Sequence, residues 1–478
     1  MSLRRDGIRG GLYLGSREAG GIVIRLMGVL LLTRLIGPAD YGLYAGSLAV
    51  VYVLTTLAQL GTEAYLMRLP ADEAVPERFH QAFSLVLVSS TVVTIASVAG
   101  IVAIGAIAGG GSYVAPFALL CVSIPVNALW APSQALIERD LRYRSIAILE
   151  VVSDGVLYGV ALPMAWAGAG VWAPICGWIA SQAWLLAGSA RVARFRPRWA
   201  WDRHEARKMT RFGLGYSSGS WILAHPTEIV NPLIIGPQLG AAAVGQVALA
   251  LRLIDTLGFV QRATRRLSLV IFGRVQRDRT RLQRAVTDAG ALQLVAVGLP
   301  LALFGLVATD AVPWLFGDEW REAAVVFPLL SLTFFVTALF NVQSYALSVL
   351  QRNAPVVVGS VLQVAVLVGA ALVLVPRNGL EGIGWARLAG VAGLVVIPLA
   401  LHASAAISVG PSLVWIVALG PVISLGNADW AWRGPAIAFA CLVVLLPSAR
   451  QQVREVVDVL RDRAPEARRS PVAPGVQP

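Results

Sequence analysis

Lysine is almost missing from this chain: Lys208 is the one lysine among 39 basic side chains, and the rest are arginine. That bias marks a GC-rich, bacterial coding composition rather than a mechanism. Cysteine is scarce too. Cys121, Cys176 and Cys441 each lie in a separate apolar run, which excludes a disulfide framework and any thiolate metal spacing. The four histidines, His80, His204, His225 and His402, form no H-x-x-x-H pattern, so no metal site or cofactor is expected. Segments of alternating polarity at strand length are absent, which excludes a membrane β-barrel. Arg4, Arg5 and Arg9 precede the first apolar run without a small-residue cleavage site, so that run is expected to be retained.

What is abundant is hydrocarbon. Hydrophobic residues make up 57% of 478, charged residues only 14%, and the mean hydropathy is +0.70, the composition of an integral membrane protein. The formal net charge of +12 would suggest nucleic-acid binding in a soluble protein. Here membrane topology accounts for it, and no nucleic-acid partner is expected.

The apolar runs predict an all-α fold of about 14 membrane spans, each near the length that crosses about 30 Å of hydrocarbon. They fall near 20–36, 43–66, 81–107, 113–137, 146–167, 170–190, 212–235, 244–269, 285–308, 323–350, 354–375, 382–401, 407–425 and 430–446. Twelve remain if the last two do not cross. Arginines gather in the even-numbered connections, as with Arg139, Arg142 and Arg144, the run from Arg191 to Arg211, and Arg274 to Arg284. The tail adds Arg450 to Arg469. The odd connections offer little beyond Arg321, Arg377 and Arg433. Short cytoplasmic loops retain such charges, so both termini are expected in the cytoplasm of a multi-pass inner-membrane protein.

The basic stretch divides the chain into an N-terminal lobe at 1–190, a linker at 191–211, a C-terminal lobe at 212–402, two further spans at 403–447 and a cytoplasmic tail at 448–478. An internal repeat supports the division. Leu35-Ile-Gly-Pro38 followed by Gly42-Leu-Tyr-Ala45 matches Ile234-Ile-Gly-Pro237 followed by Gly245-Gln-Val-Ala248. Trp172-Ala173 with Gly177 matches Trp385-Ala386 with Gly390, and Arg139 matches Arg352. An even number of spans separates the copies, which predicts parallel repeats about an axis along the membrane normal.

Across these residues the chain resembles the polysaccharide and oligosaccharide flippases of the multidrug/oligosaccharidyl-lipid/polysaccharide exporter superfamily. The stretches that carry it are TRLIGPADYGLYA at 33–45, QLGTEAYLMR at 59–68, IERDLRYRSIA at 137–147, GAGVWAPICG at 168–177 and NPLIIGPQLGAAAVGQVALALRL at 231–253. The resemblance implies two six-helix lobes around a central cavity, two further C-terminal helices, and alternating access for lipid-linked sugars. It also brings two departures: Asn231 stands where the family often has an acidic residue, and Val247 where it has tyrosine.

Charges inside spans are costly, roughly 2.5 to 3.5 kcal/mol at the bilayer centre, so each needs a reason. Arg34 lies just before the Gly37-Pro38 break, within snorkelling reach of the outer interface. Arg25 sits roughly 7.5 Å inside the first span, where snorkelling competes with facing a water-filled cavity. Arg252 falls about 12 Å below the external end of the eighth span, near the midplane, with Asp255 three residues on. An intrahelical ion pair and a cavity role both fit. The seventh span aligns His225, Glu228 and Asn231 in one polar stripe broken by Pro226 and Pro232, as in the discontinuous helices that line transport pathways. Arg387 is a further cavity candidate. Glu63, Glu150 and Asp154 are placed in interfacial pairs.

Guanidinium forks grip phosphate oxygens bidentately, so arginines from spans one and eight suit the phosphate or diphosphate of a lipid-linked saccharide. Trp130, Trp166, Trp172, Trp221 and Trp385 could stack on sugars or belong to the interfacial belt. The leading function is thus a flippase for a polyprenyl (di)phosphate-linked oligosaccharide or repeat unit, with membrane lipids and polysaccharide assembly proteins as partners. A cation-coupled multidrug antiporter is the alternative within transporters. A membrane glycosyltransferase or polymerase would need the external carboxylates Asp40, Asp310, Asp318, Glu319 and Glu322.

Overall fold

Every apolar run of the sequence is helical where its backbone is described, in a computed structural model that describes residues 2–70, 72–108, 111–224, 230–405, 407 and 410–444. No strand occurs among the described residues. The order is α1 (Ser2–Gln59), α2 (Thr62–Arg68), α3 (Pro76–Ala108), α4 (Gly111–Ala128), α5 (Ala131–Arg139), α6 (Tyr143–Trp166), α7 (Trp172–Ala193) and α8 (Arg203–Ala224). A five-residue π-helix, Asn231–Ile235, leads into α9 (Gly236–Leu257), α10 (Val260–Val275), α11 (Arg279–Phe316), α12 (Arg321–Val349), α13 (Ala354–Gly390), α14 (Val396–Ala405), α15 (Gly410–Ser424) and α16 (Trp430–Val444).

Among the described residues, eight segments are long and apolar enough to cross a membrane, and several are too long to cross it once. Ile24–Gln59 covers 36 residues, about 54 Å if straight, nearly twice a hydrocarbon core. Gly37 breaks it, with φ 72° and ψ 174°, a conformation open to glycine, and Pro38 restarts the helix without needing a hydrogen-bond acceptor for its missing N–H. Gly240 does the same in α9 at φ 85° and ψ 177°. Gly379 divides α13.

The repeat is therefore written in the backbone, with two adjustments to its register. Gly37 corresponds to Gly240, not to the Gly236 of the matching Gly-Pro pair, and the same offset carries Gly42 onto Gly245. Arg352 corresponds to Arg142, not Arg139. Each follows a left-handed residue, Leu141 or Gln351, and each donates its N–H five residues back, to Ile137 or Leu347. Gly177 and Gly390 share one role: a Cβ on the first would press on Leu157 and Ala161, and on the second on Gln363 and Leu367, positions equally spaced in the two copies.

Boundaries differ from expectation in three places. The second span ends at Gln59, where Leu60 and Gly61 both turn left-handed, and Glu63 lies in the short α2 beyond it. The eighth is interrupted after Leu257 and resumes as α10. The connection around Trp320, expected as an open external loop, is a tight turn at Gly317 and one 3-10 turn, Asp318–Trp320.

The chain forms two compact units. The first comprises residues 1–256, 308–330 and 353–394, and holds every candidate site residue. At one of its ends Tyr65, Leu66, Phe79, Leu85 and Met209 make a buried cluster that joins α2, α3 and α8. The second comprises 257–307, 331–352 and 395–478. Within it α15 and α16 pack on each other, Gln293 donates to the Ala338 carbonyl at 3.0 Å, and buried Arg433 caps the Leu306 carbonyl at 2.9 Å.

Candidate functional site

Three helices of the first unit bring Arg25 and Arg252 into one network. Arg25 of α1 pairs with Asp154 of α6 at 3.0 Å. One turn further along α6, Tyr158 is buried, and its hydroxyl donates to the Arg25 carbonyl at 3.3 Å while accepting a hydrogen bond from Arg252 of α9. Gly28 makes room for this contact, since a Cβ there would sit 2.5 Å from the Tyr158 ring.

Arg252 has phenols in its neighbourhood. Tyr41, Tyr44 and Tyr52 from the second leg of α1 lie within electrostatic range of it, as does Tyr158, and its side chain is exposed. Tyrosines 41, 44 and 52 are spaced to share one helical face, and Tyr41 and Tyr44 lie 6.3 Å apart. A phenol is a neutral hydrogen-bond partner, so Tyr158 orients the guanidinium without cancelling its charge. The network thus holds two guanidiniums against one carboxylate, that of Asp154. Such a site attracts an anion and offers ring faces beside it.

A second polar pair lies where the π-helix widens the seventh span. Asn231 is buried, and its Oδ1 accepts from Arg387 of α13 at 3.0 Å. The two were nominated separately, and the structure joins them. π-helical turns carry an extra residue and recur at functional sites.

The Gly317 turn caps these elements from one end. Gln246 donates to the Glu319 carbonyl at 2.5 Å and accepts from the Ala323 N–H at 2.9 Å, which pins the turn to α9. Trp320 is wholly buried, edge-on to Tyr41 at 5.7 Å. Arg34 donates to the Trp314 carbonyl at 2.6 Å and stays exposed, so it belongs to the cap and not to the arginine network. Asp318 pairs with Arg321 at 3.0 Å on the surface.

Of the remaining nominated residues, Asp255 is exposed on α9, and His225 and Glu228 lie outside the described residues. Asp154, expected to form an ion pair, does so with Arg25. The four tyrosines were missed. For three of them the signal was present in YGLYAGSLAVVY, where the first, fourth and twelfth residues share a helical face; Tyr158 stands apart from that stretch. Trp166, Trp172 and Trp385 are exposed, which suits the interfacial belt.

The fold has known counterparts. It is similar to the lipid II flippase MurJ in an inward closed conformation, with a TM-score of 0.65 and 12% identity over 91% of this chain and 99% of that one. It is also similar to an inward-facing multidrug resistance MATE family transporter of the MOP superfamily, with a TM-score of 0.64 and 15% identity over 80% and 94%. In sequence it is similar to the succinoglycan biosynthesis transport protein ExoT of Rhizobium meliloti (strain 1021), 24% identical over 319 residues. That match covers 66% of this chain and 64% of the relative, less than two thirds of its length. Both the relative and the flippase are transport proteins and not enzymes. The polysaccharide biosynthesis protein family matches residues 31–325, a stretch that holds the Gly37 and Gly240 breaks, all four tyrosines and Arg252, with Arg25 just before it; the chain belongs to that family.

Proposed function

We propose that the protein is a flippase that carries a lipid-linked oligosaccharide or polysaccharide repeat unit across the cytoplasmic membrane by alternating access, with both termini cytoplasmic. The observation that carries this reading is the Arg25–Tyr158–Arg252 network. It places two permanently charged forks and a group of phenols in a membrane-spanning body, where the phosphate or diphosphate of the carrier meets the first and the sugars meet the second. An apolar groove of about 520 Å³ in the same unit, lined by Gly42, Gly46, Ile101, Phe117, Leu233 and Val244, suits the prenyl tail. A cationic-drug antiporter would require an excess of carboxylates, the reverse of what the network holds. In this reading residues 1–190 and 212–402 are the two lobes, joined by the basic linker at 191–211 and followed by the spans at 403–447 and the tail.

Complementation of polysaccharide export tests it, with membrane abundance measured alongside. Arg252→Ala abolishes export while the protein remains inserted, because losing a charge within a span lowers the insertion cost. Arg252→Lys restores little, since ammonium lacks the bidentate fork. Full export by Arg252→Ala would overturn the reading.

A further inference from the structure

The basic linker does more than mark the cytoplasmic side. Between Ala193 and Arg203 it leaves helix and lies against the first turns of α3, fixed there by three hydrogen bonds. The Ala200 N–H donates to Ser84 Oγ at 3.0 Å, the Asp202 N–H to Gln81 Oε1 at 2.7 Å, and Gln81 Nε2 returns one to the Asp202 carbonyl at 3.0 Å. Arg194 turns left-handed at φ 52° to end α7, and Phe195 then stacks on His80 at 5.2 Å. The fixed strap and the start of α3 enclose a cavity of about 320 Å³, lined by Phe79 and His80 on one side and by Arg194, Arg196 and Arg198 on the other.

Its charges are uncompensated. Among the described residues none of these three guanidiniums pairs with a carboxylate. The nearby acids are turned elsewhere: Glu73 and Glu205 both face Arg78, at 3.3 and 3.4 Å. His80 Nδ1 is buried without a hydrogen-bond partner among the described residues. Beside the cavity Trp199 and Trp201 stack in parallel at 5.9 Å and are exposed, at 65% and 47%. Exposed indoles next to the first turn of a membrane-spanning helix mark the level of the lipid headgroups.

We propose that this cavity binds the phosphate of an anionic phospholipid in the cytoplasmic leaflet. Arg194, Arg196 and Arg198 hold the phosphate, and Trp199 and Trp201 sit at the glycerol level beside it. The site is separate from the Arg25–Arg252 network, and its occupancy does not depend on which substrate the protein moves.

The test is equilibrium binding of phosphatidylglycerol with a fluorescent acyl chain to the purified full-length protein in detergent, with phosphatidylcholine carrying the same label as the neutral comparison. Saturable binding of the anionic lipid alone is expected. The triple variant Arg194→Gln, Arg196→Gln, Arg198→Gln weakens it on the order of 100-fold, given the contribution of each basic residue at a lipid surface. Arg274→Gln, Arg277→Gln, Arg279→Gln removes as much charge from another basic connection and leaves binding unchanged. A melting curve equal to that of the parent protein shows that the triple variant is folded. Undiminished binding by the triple variant, or equal loss in the control, would overturn the proposal. So would displacement of the lipid by inorganic phosphate at low millimolar concentration, which would make the ligand a soluble phosphate.

Discussion

Gly42 and Gly245 face each other across a helix crossing with no side chain between them, and they do so reciprocally. A Cβ at Gly42 would overlap the Ala241 carbonyl oxygen, and one at Gly245 would overlap the Pro38 carbonyl oxygen. Since Pro38 and Ala241 are themselves equivalent in the repeat, the contact has the form of a local two-fold axis passing between the two glycines. Helices can come this close only where neither carries a side chain.

Gly42→Ala or Gly245→Ala therefore forces the crossing apart, at a cost of about 1–3 kcal/mol. Each is expected to lower the melting temperature and membrane abundance. Gly155→Ala and Gly159→Ala, where a Cβ meets open space, are expected to be neutral in the same thermal assay.

Tyr158→Phe retains the ring against Gly28 but loses the hydroxyl that joins Arg25 to Arg252. Each lost hydrogen bond is worth about 0.5–1.5 kcal/mol. Export is expected to fall while abundance holds, and to fall less than in Arg252→Ala. Export by Tyr158→Phe equal to that of the parent protein would show that the bridge is idle.

Gln246→Ala removes both bonds that pin the Gly317 turn. Hydrogen exchange should then accelerate at the Ala323 amide, whose acceptor is Gln246 Oε1, while the α9 amides around residue 250 retain their protection.

Glu63, past the end of the second span, has its carboxyl pushed up to about 7 by burial, with Glu138 adding repulsion. A folded-state value above the ordinary 4.5 means that folding favours the protonated form. The stability this group permits is full below about 4.5 and is lost as pH rises through 7. Glu63→Gln should accordingly raise the melting temperature at pH 8 and leave it unchanged at pH 4.5.

Reporter fusions after Arg203 and at Asp318 are expected to report opposite sides of the membrane, the first cytoplasmic. The same side for both would overturn the assignment drawn from the arginine distribution.

The helices and the repeat were legible because hydrocarbon length and glycine breaks are local properties. Register was not. The Gly-Pro pairs at 37 and 236 look equivalent, but the π-helix Asn231–Ile235 displaces the second turn, and the backbone break falls at Gly240. Arg25 and Arg252 could be nominated from the cost of burying charge, whereas their link runs through Tyr158, more than ninety residues from either. No periodicity within one helix reports such a distance. Asn231 and Arg387 were visible singly for the same reason, and their 3.0 Å bond was not.

The phenol bridge between Arg25 and Arg252 has an electrical consequence. Moving one elementary charge through 100 mV involves about 2.3 kcal/mol, so a bare diphosphate crossing the membrane feels the resting potential strongly. On the proposed flippase reading, a diphosphate held by Arg25 and Arg252 would have part of its charge offset by the protein itself, because the Tyr158 phenol bridges the two guanidiniums without cancelling their charge. The loaded carrier would then take less net charge through the field than the bare diphosphate, and the empty carrier would return with the one excess positive charge of the network. A cell's negative interior would favour that inward return, so on this reading turnover would respond to the membrane potential.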